Sequence, residues 1–229
     1  MIFEGILVRS TLVRIAAAVL ATLAIPFIPT TAHAAGPGDT VVLPVRDALA
    51  ALPVATEDRT GYSRDKFRHW TDADRDGCST RAEVLLEEAV TAPEQGAGCL
   101  LTGGTWYSPY DDRYVEGPRG LDIDHMVPLA EAWDSGASAW TAKEREAYAN
   151  DLGDGRALIA VTAASNRSKA DQDPATWQPP ADGYRCTYAI TWVAVKTRWQ
   201  HTIDPAEQAA LAEILSACPN SPIEVVLAR

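Results

Sequence analysis

Four cysteines in two close pairs constrain this 229-residue chain more than any other feature, because covalent clips fix where the backbone can run before packing is considered. Cys78 lies near Cys99 in the sequence, and Cys186 near Cys218. A leader makes them readable as disulfides. Arg9 and Arg14 precede an apolar run from Ile15 to Ile25, and Ala32–Ala34 ends the leader with a small-x-small cleavage pattern. Export delivers a chain to an oxidising compartment, where thiols pair. Four cysteines allow three connectivities, of which local pairing, Cys78–Cys99 and Cys186–Cys218, is the expectation. Each clip would stabilise by roughly 3 kcal/mol.

The expected organisation is a signal peptide over 1–34, an N-terminal helical region over 35–98 and a second domain over 99–229. No second apolar run follows the leader, so the mature chain is expected to be secreted and without stable membrane association; a monomer is the expected state. The formal charge is −11, and loss of Glu4, Arg9 and Arg14 with the leader makes it −12, a balance that opposes long-range attraction to nucleic acid. Arg167, Lys169, Arg185, Lys196 and Arg198 nevertheless concentrate late in the chain, which allows either a local cationic face or a mixed solvated surface.

Patterning predicts an α+β fold. Residues 35–44 are rich in Gly and Pro and read as a lead-in. Helices are expected over 45–52, 62–70 and 80–90, and the aromatic, β-branched stretch 103–117 reads as a hairpin that Leu121–His125 continues. Pro128–Trp133 reads as a helical turn. Thr141 and Glu144 form a capping box for a helix to about Leu152, and Leu158–Val161 is a short strand. Tyr188, Trp192, Val195 and Trp199 fall at helical spacing, and Asp204–Pro205 starts a last helix.

The patterns GxSxG, GxxxxGK, GxGxxG and HExxH are all absent, which removes the common motif routes to serine hydrolase, nucleotide-binding and zinc-protease function. Two short stretches remain: DIDH at 122–125 and SNRSK at 165–169. Successive side chains on a strand point to opposite faces, so Asp124 and His125 can serve one substrate only where the strand ends, and Pro128 supplies that end. Phosphodiester hydrolysis asks for such a set: a neutral imidazole as base, and oxygen donors for a hard divalent cation.

DIDHMVPLAEAW followed by LIAVTAASNRSKADQDPATW resembles the HNH (ββα-metal) endonucleases, and is most similar to secreted bacterial proteins sharing the C-terminal domain of GmrSD-type restriction enzymes. The HNH domain of CRISPR effector nucleases has a similar D-x-D-H-x-x-P start and N-R-x-K end. The resemblance spans roughly Thr102 to Pro180 and makes 99–229 an HNH-like nuclease domain with surrounding helices. It implies an endonuclease acting on DNA, with RNA as a second substrate class, and Mg2+ or Mn2+ as cofactor. Asp124 then resembles the metal-binding aspartate, His125 the general base and Asn166 the second ligand, with Lys169 placed to meet phosphate. A middle asparagine that braces the base would fall near Ala157, where this chain has none; Asn150 is the nearest substitute.

A second constellation, Asp72–Glu83, satisfies the calcium-loop pattern D-x-D-x-D-G-x5-E. Asp72, Asp74, Asp76, Thr80 and Glu83, with the Cys78 carbonyl, occupy its ligand positions, and flanking helices are expected. It supports Ca2+ binding and a rival reading, a non-catalytic extracellular module stabilised by calcium.

Overall fold

The computed structural model describes Met1 and residues 35–229; the leader reading over 1–34 lies outside the described residues. Residues 35–229 form one compact unit, mixed α+β, with several small antiparallel sheets. Among the described residues no helix is long and apolar enough to cross a membrane.

The chain opens with β1 (Thr40–Pro44) and α1 (Val45–Ala51). It then passes through a 3-10 turn at Arg64–Lys66 to α2 (Thr80–Glu87). Five short strands follow: β2 (Ala89–Thr91), β3 (Glu94–Gln95), β4 (Leu101–Thr102), β5 (Thr105–Ser108) and β6 (Arg113–Glu116). Next come β7 (Leu121–His125), α3 (Leu129–Asp134), α4 (Ala142–Ala149) and β8 (Leu158–Thr162). The chain finishes with α5 (Ala163–Lys169), α6 (Arg185–Arg198), α7 (Pro205–Ser216) and β9 (Pro222–Val226).

Three departures from the sequence reading are physical. The expected helix over 62–70 is only the 3-10 turn, because Phe67 is driven into the core and Trp70 takes a left-handed φ of 60°, which a continuous helix forbids. β7 does not extend the β5–β6 hairpin. It pairs antiparallel with β8, Asp124 opposite Ile159 and His125 opposite Leu158. The supposed lead-in contains β1, which pairs with the last strand from Thr40–Val226 to Pro44–Pro222. Arg46, just past β1, donates to the Leu215 and Cys218 carbonyls, occupying acceptors that the end of α7 leaves open.

Other local signals hold. The Thr141–Glu144 capping box is formed at α4, and Asp204 caps α7 by accepting from Ala206 and Glu207. The stripe expected on α6 is buried, with Tyr188 and Trp192 fully enclosed. Both disulfides pair locally, Cys78–Cys99 and Cys186–Cys218.

The unit that matters most is β7, β8 and α5. Ser108 accepts from the Thr162 backbone and Asp111 from the Thr162 hydroxyl, while that hydroxyl caps α5 by accepting from Ser165. The β5–β6 turn therefore fixes where α5 starts against the strand pair. This determines which residues of α5 face the end of β7.

Candidate active site

At the end of β7 a cleft of about 390 Å3 is lined by Asp124 and His125, by Asn166 and Arg167 of α5, and by Arg64 and Asp171. The strand stops at His125, so the alternation of faces is broken there and adjacent residues share one cleft. Asp124, His125 and Asn166, singled out from the sequence, are thus brought together.

Asp124 is buried, and its Oδ2 accepts from the Tyr110 hydroxyl at 2.6 Å and the Lys169 ammonium at 2.5 Å. No donor among the described residues reaches Oδ1. Burial pushes the carboxyl above its usual range, while Lys169 and Tyr110 act to lower it. Asn166 donates from Nδ2 to Asp122 Oδ2 at 3.2 Å, which turns its carbonyl oxygen away from that carboxylate. Asp122 thereby orients Asn166. One carboxylate oxygen and one amide oxygen without protein partners are hard donors, a set that suits Mg2+ or Mn2+.

His125 is held from three sides. Its Nε2 lies 3.0 Å from the Ala149 carbonyl, and a carbonyl can only accept, so Nε2 carries the proton and Nδ1 the lone pair. Trp70 and Tyr148 flank the ring at 5.5 and 6.3 Å between centroids. Burial drives the imidazole pKa down to about 3, and it is neutral at physiological pH.

Asn150 is not the brace that the sequence suggested. Its amide is spent on the Thr71 backbone, the Thr80 hydroxyl and the Arg68 and Glu146 carbonyls, and the group that orients His125 is the carbonyl just before it. A backbone acceptor has no residue signature, which is why the sequence could not name it. Tyr110 and Arg64 were also missed. Tyr110 is a fully buried residue in the hairpin turn, and Arg64 comes from the 3-10 turn far upstream.

Lys169 requires a correction. It is fully buried, and its ammonium donates to Asp124 Oδ2, His125 O at 2.9 Å and Met126 O at 2.9 Å. All three N–H bonds are used, so none is left for a phosphate. The late cationic face dissolves for the same reason. Lys196 is buried between Glu131 and Glu207, and Arg198 is bound to Asp151, leaving Arg167 and Arg185 exposed. Glu131 is accordingly a buried ion-pair residue.

The acidic loop is present as an exposed turn. Carboxylate oxygens of Asp72, Asp74 and Asp76 lie within 4.8 Å of one another, and Asp76 and Glu83 approach equally closely. Gly77, at φ 98°, makes the bend that side-chain-bearing residues resist. Thr80 does not face the loop. It is buried, with Oγ1 2.9 Å from the Thr71 carbonyl and 2.8 Å from Asn150 Oδ1, so it is removed from the ligand set. Nor is there an entering helix; only α2 leaves the loop.

Residues 66–214 match the family model described as GmrSD restriction endonucleases, C-terminal domain. An "Uncharacterized secreted protein" from Arthroderma benhamiae is 42% identical over 170 residues, covering 74% of this chain and 81% of that protein. No solved structure matches. The matched span holds the acidic loop, the β7–β8 pair and α5, all but Arg64 of the cleft, and the chain belongs to the family of GmrSD restriction endonuclease C-terminal domains.

Proposed function

We propose that this chain is a secreted, divalent-cation-dependent endonuclease that hydrolyses phosphodiester bonds of DNA, with RNA as a second substrate class. Secretion is supported by the name of the fungal relative and by the two disulfides. One observation carries the chemistry: a neutral imidazole with its Nε2 proton tied to Ala149 O leaves a lone pair on Nδ1 in the same cleft as two oxygen donors. On this reading β7, β8 and α5 are the ββα-metal core of an HNH nuclease.

Asp124 Oδ1 and the Asn166 carbonyl would hold Mg2+ or Mn2+. When bound, that ion supplies positive charge for the phosphate and the leaving oxygen. His125 Nδ1 takes the proton of the attacking water, and Ala149 O stabilises the resulting imidazolium through Nε2–H. Lys169 and Tyr110 fix one oxygen of Asp124 and leave the other without a donor among the described residues. Arg64 and Arg167, exposed at the cleft wall, are the guanidinium groups available to phosphate oxygens.

The test is plasmid and RNA cleavage by purified mature protein with Mg2+, Mn2+ or chelator. His125→Ala should keep the fold and metal but lose cleavage by roughly two to four orders of magnitude. Asp124→Ala and Asn166→Ala should weaken the metal, with partial rescue by high Mn2+. Wild-type cleavage rates from His125→Ala would overturn the assignment.

A further inference from the structure

Sharing no residue with the acidic loop, a second group of carboxylates meets around Glu57. Oxygen atoms of Glu57, Glu131 and Asp134 lie within 4.8 Å of one another, and so do those of Glu57, Asp173 and Asp204. Backbone bonds bring the segments together: Ala55 to Ile203, Ile203 to Pro53, and Thr202 to Ser135. Four of these five acids are anchored by one oxygen. Glu131 Oε1 accepts from Lys196 and Ser135, Asp134 Oδ2 from Arg59, Asp204 Oδ1 from the start of α7, and Asp173 Oδ1 from the backbone of Ala175 and Thr176.

Asp134 Oδ1 points to a missing partner. It is sealed from solvent with no hydrogen bond among the described residues, and the Asp134 side chain is only 2% exposed. A buried carboxylate oxygen without a donor costs stability, and native proteins leave few such atoms unexplained. Burial first, and then the neighbouring Glu131, Asp204 and Asp134 carboxyls, act against the ionisation of Glu57. Arg59 and Lys196 are already engaged by Asp134 and by Glu131 and Glu207.

We infer that Glu57, Glu131 and Asp134, bordered by Asp173 and Asp204, form a binding site for a calcium-like hard divalent cation. A ligand spread of up to 4.8 Å suits an ion that takes oxygens at about 2.3–2.6 Å in irregular geometry, and carboxylates from separate loops and helices suit its flexible coordination. The ion supplies the partner that Asp134 Oδ1 lacks. It also ties the strap after α1 to α3 and to the turn before α7. The site is independent of the nuclease reading and shares no residue with the catalytic cleft.

Full mature protein carrying Asp72→Asn and Asp76→Asn, which disable the acidic loop, is titrated with CaCl2 by calorimetry and by thermal melting. This protein should still bind calcium and melt several degrees higher with it. Adding Glu57→Gln, at an exposed side chain, should weaken binding at least tenfold and remove the shift, with Mg2+-dependent cleavage unchanged. Adding Glu57→Lys instead places an ammonium among the carboxylates, and should raise the calcium-free melting temperature while abolishing the response. Absence of any calcium response in the loop-disabled protein overturns the site, as does a full response surviving either change at Glu57.

Discussion

Replacing Lys169 by Met tests whether this lysine holds the site together or contacts substrate. The side chain is fully buried, and its ammonium lies 2.5 Å from Asp124 Oδ2 and 2.9 Å from each of two carbonyls. Methionine nearly matches the stem and deletes the charge. Breaking a buried pair by removing one partner costs about 3–5 kcal/mol, because the remaining charge stays desolvated. Two carbonyls also lose a donor, worth about 1 kcal/mol or more each. Against this, Asp124 can take up a proton, its carboxyl being already raised by burial, which removes the stranded charge. A net loss of about 4 kcal/mol is expected, or roughly 8–16 °C in melting temperature for a unit of this size. The assay is urea unfolding followed by tryptophan fluorescence at pH 7.5, comparing midpoints at constant slope. A loss below about 1 kcal/mol would refute the reasoning. It would mean that the ammonium is free to leave Asp124 and could meet a phosphate after all.

Two further outcomes follow from groups away from the cleft. His201 is fully buried with neither ring nitrogen bonded among the described residues, stacked on Trp140 at 5.0 Å, and burial holds its pKa well below the usual value, with Lys196 and Arg229 adding to the effect. Below about pH 6.5 the unfolded chain binds a proton there that the native state refuses, so stability falls by about 1.4 kcal/mol per pH unit on acidification. His201→Phe should remove this increment, giving a melt at pH 5 that exceeds the wild type by roughly 2 kcal/mol, with little change at pH 8; identical pH profiles would count against it. For the acidic loop, Asp72→Asn with Glu83→Gln should reduce the calcium-induced rise in melting temperature, since an ion that binds only the native state stabilises it by mass action. An unchanged shift would show that the loop is a turn without an ion.

Legibility from sequence followed the range of the interactions involved. The α4 capping box, the α6 stripe and both disulfides are signals carried within about thirty residues, and they were read correctly. The pairing of β1 with β9 spans almost the whole described chain, and nothing local distinguishes Thr40–Pro44 from a lead-in. Residues 62–70 carry apolar side chains at helix-like intervals. Those side chains serve the core from an irregular backbone, where Phe67 packs against Tyr148 and Trp133 while Lys66 binds the Gly61 carbonyl. In the cleft, the residue types that attract attention by chemistry, Asp124, His125 and Asn166, were legible. Whether a lysine faces solvent or a buried carboxylate depends on what folds over it, so Lys169 was misread as a phosphate contact and Lys196 as part of a surface face.

The β1–β9 pairing has a consequence for the order of events during synthesis. Synthesis from the N-terminus completes Thr40–Pro44 long before Pro222–Val226, the segment that pairs with it. Until then β1 has neither its ladder partner nor the α7 carbonyls that Arg46 grips. The molecule therefore resembles a bag whose drawstring is threaded early and pulled tight much later. Closure over so long a stretch is slow, and a nascent chain held open in this way stays pliable while the interior assembles. A chain lacking Pro222–Val226 would leave β1 without its ladder partner, with backbone donors and acceptors open to another edge.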